Sequence, residues 1–171
     1  MDDYSRFILA WELKSDMAAG SLIDVVQKAV DATGMTDIPV EDRTVLLSDN
    51  GAGYLSRQFG EYLRLVGVRH IVASPYHPQT NGKIERYHRS IKGELGLLPY
   101  EMPSELEKAI TAFIEYYNYR RYHEGLGDVT PYDVYTGRHL EILQDRKEAK
   151  SRTLQTRRDY NRVAREQDNT I

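Results

Sequence analysis

The chain has 171 residues, a formal net charge of −3 and no cysteine. That length suits one domain with a buried core, and the absence of thiols excludes disulfides, thiolate zinc sites and cysteine nucleophiles. Any metal must be held by oxygen or imidazole, and any nucleic-acid surface must come from local sorting of charge, not from an overall basic balance. No apolar run approaches the roughly 20 residues that a bilayer span needs, and the opening MDDYSR is acidic where a signal peptide is basic. The expectation is a soluble, cytoplasmic protein with no membrane partner. Thirteen tyrosines against three phenylalanines predict many half-buried rings whose hydroxyls stay wet.

In chain order, Arg6 to Leu13 is an aromatic and aliphatic run that reads as a buried strand with Trp11 in the core. Asp16 is placed to cap a helix whose Leu22, Val25, Val26, Ala29 and Val30 share one face, with Gly34 as its stop. Thr44 to Ser48 predicts a short buried strand that delivers Asp49, Asn50 and Gly51 at its carboxyl end, where open α/β sheets place ligands. Ser56 caps the next helix, with Phe59, Tyr62, Leu63 and Val66 inward and Gly67 as its stop, and Arg69 to Ala73 is another strand.

The stretch Ser74 to Arg86, SPYHPQTNGKIER, follows as a turn-rich loop that leads into a helix reaching about Leu97. Ile84, Tyr87, His88, Ile91 and Leu95 form that helix's predicted buried stripe, which turns Glu85, Arg89 and Lys92 outward together. Ser104 and Glu107 read as a capping box for a further helix with Leu106, Ile110, Phe113, Ile114 and Tyr117 inward, ending near Arg120. A tyrosine-rich segment to Gly137 includes a helical turn at Asp133 to Tyr135. Beyond Arg138 the apolar stripe is weak and the charge dense, so a solvated helix is expected there. The order of strands and helices is α/β with a parallel portion, divided into a core over 1–137 and a charged tail over 138–171.

Asp49 and Glu85 are the leading chemical pair. Thirty-five residues separate them, enough for a helix, a strand and a loop that returns the second acid beside the first. Two carboxylates on rigid elements suit hard cations such as Mg2+ or Mn2+, and a two-ion site of that kind performs phosphodiester chemistry. Taken alone, Asp-Asn-Gly is a tight turn and Glu85 an exposed helix acid; their joint placement is what points to a site. Arg89 and Lys92 can be a solvated face but, beside Glu85, read better as sequence-independent phosphate contacts. His77 reads as a loop residue near substrate, His88 as a packed helix residue, and His123 as a further candidate ligand or base.

DDYSRFILAW at Asp2 to Trp11, LLSDNGAGYLSRQF at Leu46 to Phe59, GVRHIVASPYHPQTNGKIER at Gly67 to Arg86 and YYNYRRYHEGLGDVTPYDVYTG at Tyr116 to Gly137 together resemble the integrase core domains of retroviral type and the related bacterial insertion-sequence transposases. The resemblance implies a ribonuclease-H-like α/β fold and a metal-binding Asp, Asp, Glu triad that cuts and joins DNA strands, with Asp49 and Glu85 as its second and third members. It implies that Asn81, Arg89 and Lys92 line the groove for the DNA end and that Tyr76 and His77 belong to a mobile loop over the site. With Lys83 these are the candidate DNA contacts. DNA ends, target DNA and further copies of the chain are the implied partners.

One departure from the family pattern stands out. The family's first triad Asp lies on a first strand some distance before the stretch that resembles DDYSR, and Asp2 and Asp3 resemble the turn before the third strand. The expectation is therefore an integrase core lacking its first two strands and one catalytic acid, inactive and only marginally folded by itself. The rival expectations are a non-catalytic DNA-binding or assembly module and, third, a hydrolytic nuclease of the same fold.

Overall fold

A computed structural model describes residues 1–73, 82–96 and 99–168 of the chain. Its first helix, α1 (Ala19–Thr33), buries Leu22 and Val30 and stops at Gly34, whose φ of 61° is the left-handed conformation that glycine adopts without a Cβ penalty. The cap differs from the sequence expectation. Ala18 is the cap residue, and Asp16 lies two positions upstream, where Oδ1 accepts the Ala18 N–H at 2.9 Å and the Ser21 hydroxyl at 2.7 Å. The Ser21 bond first, and the Ala18 bond second, hold the Asp16 carboxyl below its usual range.

Strand β1 (Val45–Ser48) pairs in parallel with β2 (Arg69–Val72), in a register that runs from Val45 opposite Arg69 to Ser48 opposite Val72. The crossover between them is α2 (Arg57–Leu65), the kind of connection that parallel strands require. As the sequence predicts, Ser56 caps α2 by accepting the Phe59 N–H at 3.2 Å, and Gly67, at φ 62°, turns the chain after it. Phe59 and Leu63 are the most deeply buried apolar side chains of α2. They pack with Leu22, Val30, Met35 and Val68 into one core cluster, against which Leu46 of β1 leans. The Tyr62 hydroxyl ties α2 to α1 by donating to Gln27 Oε1 at 2.9 Å.

A second cluster lies under α3 (Gly82–Leu95) and α4 (Pro103–Tyr119), where Tyr87, Phe113, Ile114 and Tyr117 close around Ile8. Tyr87 and Tyr117 depart from the expectation of half-buried tyrosines, because both rings are core. Burial, then the neighbouring Tyr117, pushes the Tyr87 hydroxyl up to about 12. The predicted capping box of α4 is absent: Met102 is the cap residue and Pro103 opens the helix, a position where its fixed φ fits and its missing N–H costs nothing.

The strand predicted over Arg6 to Leu13 does not form a ladder among the described residues. Its backbone is served by a side chain instead. Asn118, from the buried face of α4, accepts the Ile8 N–H through Oδ1 at 2.9 Å and donates through Nδ2 to the Ile8 carbonyl at 3.1 Å. The amide thus satisfies one residue as a neighbouring strand would. A capping box of Thr130 and Asp133 starts α5 (Pro131–Tyr135), and α6 (His139–Asp168) follows as a long, largely solvated helix.

Candidate functional site

Asp49 leaves the carboxyl end of β1, as expected, and its side chain first serves its own turn: Oδ1 accepts the Gly51 N–H at 2.9 Å. The other carboxylate oxygen has no hydrogen-bond partner among the described residues, and the residue is exposed. Three neighbours hold this end of the strand. Ser48 Oγ donates to the Asp49 carbonyl at 2.8 Å and meets His70 Nε2 at 2.8 Å. A hydroxyl has a single proton to give, so the ring nitrogen is the donor of that second bond. Burial lowers the His70 pKa and keeps the ring neutral. Tyr54 stacks edge-on to Phe59 with centroids 5.4 Å apart; burial, and then the Asp49 charge, raise its pKa.

Ser48, His70 and Tyr54 are supports that the sequence reading missed. The parallel register that sets His70 on the inner face and brings it to Ser48 is the missing information. Period-two alternation in the run Arg69 to Val72 is the sequence signal that could have found His70.

Glu85 lies in the first turn of α3, where a carboxylate complements the exposed N–H groups of the helix start. It lines an open, shallow groove together with His88, Arg89, Lys92 and Gly93. Glu85 makes no ion pair or hydrogen bond among the described residues although Arg89 stands one turn away, so its oxygens remain available. His88 faces this groove and is exposed, a correction to its place in the predicted buried stripe; Ile84, Tyr87, Ile91 and Leu95 alone fill that stripe. Partial burial first, and Lys92 second, lower the His88 pKa, so the imidazole is neutral at pH 7 and offers a lone pair.

The remaining candidates divide. Lys83 does not line the groove; its ammonium bonds the Asp3 carboxylate and, at 3.2 Å, the Asp3 carbonyl. His123 sits where the backbone makes an isolated antiparallel bridge to Val129; its ring is half-buried, burial lowers its pKa, and its Nδ1 has no hydrogen-bond partner among the described residues. Asp49 is not part of the groove lining on α3. Among the described residues, no three His, Asp or Glu side chains converge on one point as a metal cluster would. Tyr76, His77 and Asn81 lie outside the described residues.

Two family models, both for the integrase core domain, match the chain, one over residues 1–78 and the other over residues 66–131. The chain belongs to the integrase core family. Among relatives of this integrase core, the transposase for insertion sequence element IS904 of Lactococcus lactis is 28% identical over 135 residues, which are 78% of this chain and 51% of that protein. A Mycobacterium tuberculosis protein assigned as the transposase of insertion sequence element IS986/IS6110 is 26% identical over 135 residues, 78% of this chain and 49% of its own. The chain spans about half the length of these insertion-sequence relatives.

The fold agrees with solved integrases. The catalytic core domain of BIV integrase superposes with a TM-score of 0.56 at 22% identity, covering 81% of this chain and 84% of that one. The HTLV-2 integrase catalytic core domain, solved in complex with magnesium in a trimeric form, gives 0.54 at 20% identity over 72% of this chain and 74% of its own. The architecture is thus ribonuclease-H-like, with two parallel strands among the described residues and a helical carboxyl-terminal region. No helix among the described residues is long and apolar enough to cross a membrane.

Proposed function

We propose that this integrase core is the carboxyl-terminal part of a transposase catalytic domain that joins DNA ends by metal-dependent transesterification. The observation that carries the reading is the α3 groove, in which the unpaired carboxylate of Glu85 stands beside Arg89, Lys92 and the bare backbone of Gly93. Bases flanking an acid on one helix face suit a substrate that is itself anionic: the bases would take phosphates, and the acid would hold a cation.

Asp49 and Glu85 supply the oxygen donors for Mg2+ or Mn2+. Hard divalent ions of this kind bind through one or two carboxylates plus waters and substrate phosphates, so the two acids fit them chemically. Ions held there would supply Lewis-acid stabilisation to a phosphodiester. The chain's own part is to orient. Arg89 and Lys92 position phosphates, the neutral His88 imidazole sits within the same groove, and Tyr76, His77 and Asn81 complete the DNA contacts, as the family resemblance implies. Hydroxyl attack on a phosphodiester needs no covalent protein intermediate, which fits a groove without a nucleophile and base pair.

The test is Glu85→Gln in the full-length transposase, assayed for joining of labelled DNA ends and for DNA binding. Loss of joining with binding retained supports the catalytic reading. Unchanged joining overturns it and leaves the second reading, a DNA-binding or assembly module of the same fold, which the basic side of the groove would serve equally.

A further inference from the structure

The charge of α6 is sorted by face. From Lys147 to Arg165 the sequence has seven bases and two acids, a net of +5 in a chain whose total is −3. At 3.6 residues per turn, Lys147, Lys150, Arg157, Arg158, Arg162 and Arg165 fall within a sector of roughly 140° around the helix axis. Glu141, Asp145, Glu148 and Asp159 fall together on the other side, in a sector of about 60° by the same geometry. The seventh base, Arg152, lies among those acids and pairs with Glu148 at 3.8 Å, so the helix has one wholly basic side and one predominantly acidic side.

The positive side is uncommitted. All six of its bases are exposed, and five make no ion pair among the described residues; Arg162 alone reaches an acid, Asp159 at 3.3 Å. The helix is held to the body near its start. There Leu143 covers Gly127, and Arg146 Nη1 donates to the Gly127 and Asp128 carbonyls at 3.2 and 2.9 Å. From Lys147 onward no described side chain of α6 joins either core cluster. The basic face then runs along about 27 Å of axis at 1.5 Å per residue, a length over which duplex DNA presents on the order of 15 phosphates.

We propose that this face of α6 is a second nucleic-acid surface, tracking the phosphates of a duplex without reading its bases. The acidic side gives the contact a direction, because it turns away from DNA as the basic side turns toward it. The inference rests on the reading of the chain as a DNA-handling domain, but its residues are separate from the α3 groove, so the two can fail independently.

The experiment measures binding of the full 171-residue chain to two unrelated 30-base-pair duplexes by fluorescence anisotropy across a series of salt concentrations. A variant with K147Q, K150Q, R157Q and R158Q removes four charges from the exposed face while keeping good helix formers. Each lost phosphate contact lowers the slope of log affinity against log salt by about 0.9, so the slope should fall by about 3 to 4 and low-salt affinity by more than tenfold, equally for both duplexes. The single variants K150Q and R157Q should each lower it by about 1, which keeps the test decisive should the quadruple variant lose helix by circular dichroism. K147R, K150R, R157K and R158K together should leave it unchanged.

Unchanged slope and affinity in the α6 variants, with binding lost in an Arg89→Ala, Lys92→Ala variant, would overturn the α6 inference and leave the proposed function standing. Absence of DNA binding by the unaltered chain would overturn both. A change in sedimentation with no change in DNA binding would also overturn it, by assigning the face to contact between copies of the chain.

Discussion

Asn118 is the residue whose chemistry is hardest to replace. It is 3% exposed, and its amide both accepts from and donates to the backbone of Ile8, 110 positions away in sequence. Leucine has a similar branched outline but can do neither, so Asn118→Leu strands a buried N–H and a buried carbonyl. The expected loss is about 2–4 kcal/mol of stability, read as a lower urea midpoint; a loss within ordinary surface scatter would show that the Ile8 backbone finds other partners. Gly93 makes an opposite case. It lies inside α3, where an added Cβ would meet nothing within 4 Å, so Gly93→Ala should gain about 0.5–1 kcal/mol of helix stability. The same methyl group would stand in the groove beside Glu85 and Arg89. A higher melting temperature together with weaker DNA binding is expected; unchanged binding would remove the groove from the DNA contact.

At the scale of elements, β1 and β2 present Asp49 through a ring that titrates. Burial depresses the His70 pKa below its ordinary 6.5, so the unfolded chain takes up the proton more readily than the folded one. The stability that the neutral ring contributes is therefore complete above about pH 6.5 and declines as pH falls through the depressed folded value. His88 and His123 shift in the same direction, both chiefly through burial. Urea unfolding between pH 7 and pH 5 should show stability falling with acidity, and His70→Gln should reduce that slope by its own share without removing it. An identical pH slope in the variant would take His70 out of the account.

The elements also show what the amino-acid pattern could and could not reveal. Ser56, Gly34 and Gly67 act within a few residues of themselves, and each does what its local chemistry predicts. The order of α1, β1, α2, β2, α3 and α4 follows from periodicity in the same way, as does the arrival of Asp49 at a strand end. Arg6 to Leu13 has a strand's composition, but a ladder needs a partner elsewhere in the chain, and composition cannot supply one. Ser104 lost the helix start to its neighbour Pro103, whose backbone preference is stronger than a side-chain cap. His88 sits at the margin of α3's apolar stripe, and only the packing of Tyr87 against Phe113 and Tyr117 decides which way the helix is rotated. The supports of Asp49 were illegible for a related reason: Ser48 and His70 meet through strand register, over 22 positions of sequence.

Across the whole molecule, the two core clusters lie on the helix side of the sheet and under α3 and α4, and one face of the strand pair is left outside both. Leu47 and Ile71 are register partners on that face and are 38% and 54% exposed. An apolar pair directly opposed across two parallel strands ordinarily lies under a covering layer. Exposed here, it is a template for association with another chain. Replacing Leu47 and Ile71 by threonine puts a β-branched, strand-favouring residue at both positions while removing the greasy surface. Because neither side chain belongs to a core cluster, the double variant should unfold at nearly the same urea concentration as the unaltered chain. Its light scattering at high protein concentration should nevertheless drop. A large loss of stability with no gain in solubility would instead mean that this face is covered in solution, and that Leu47 and Ile71 are part of a core built with residues beyond those described.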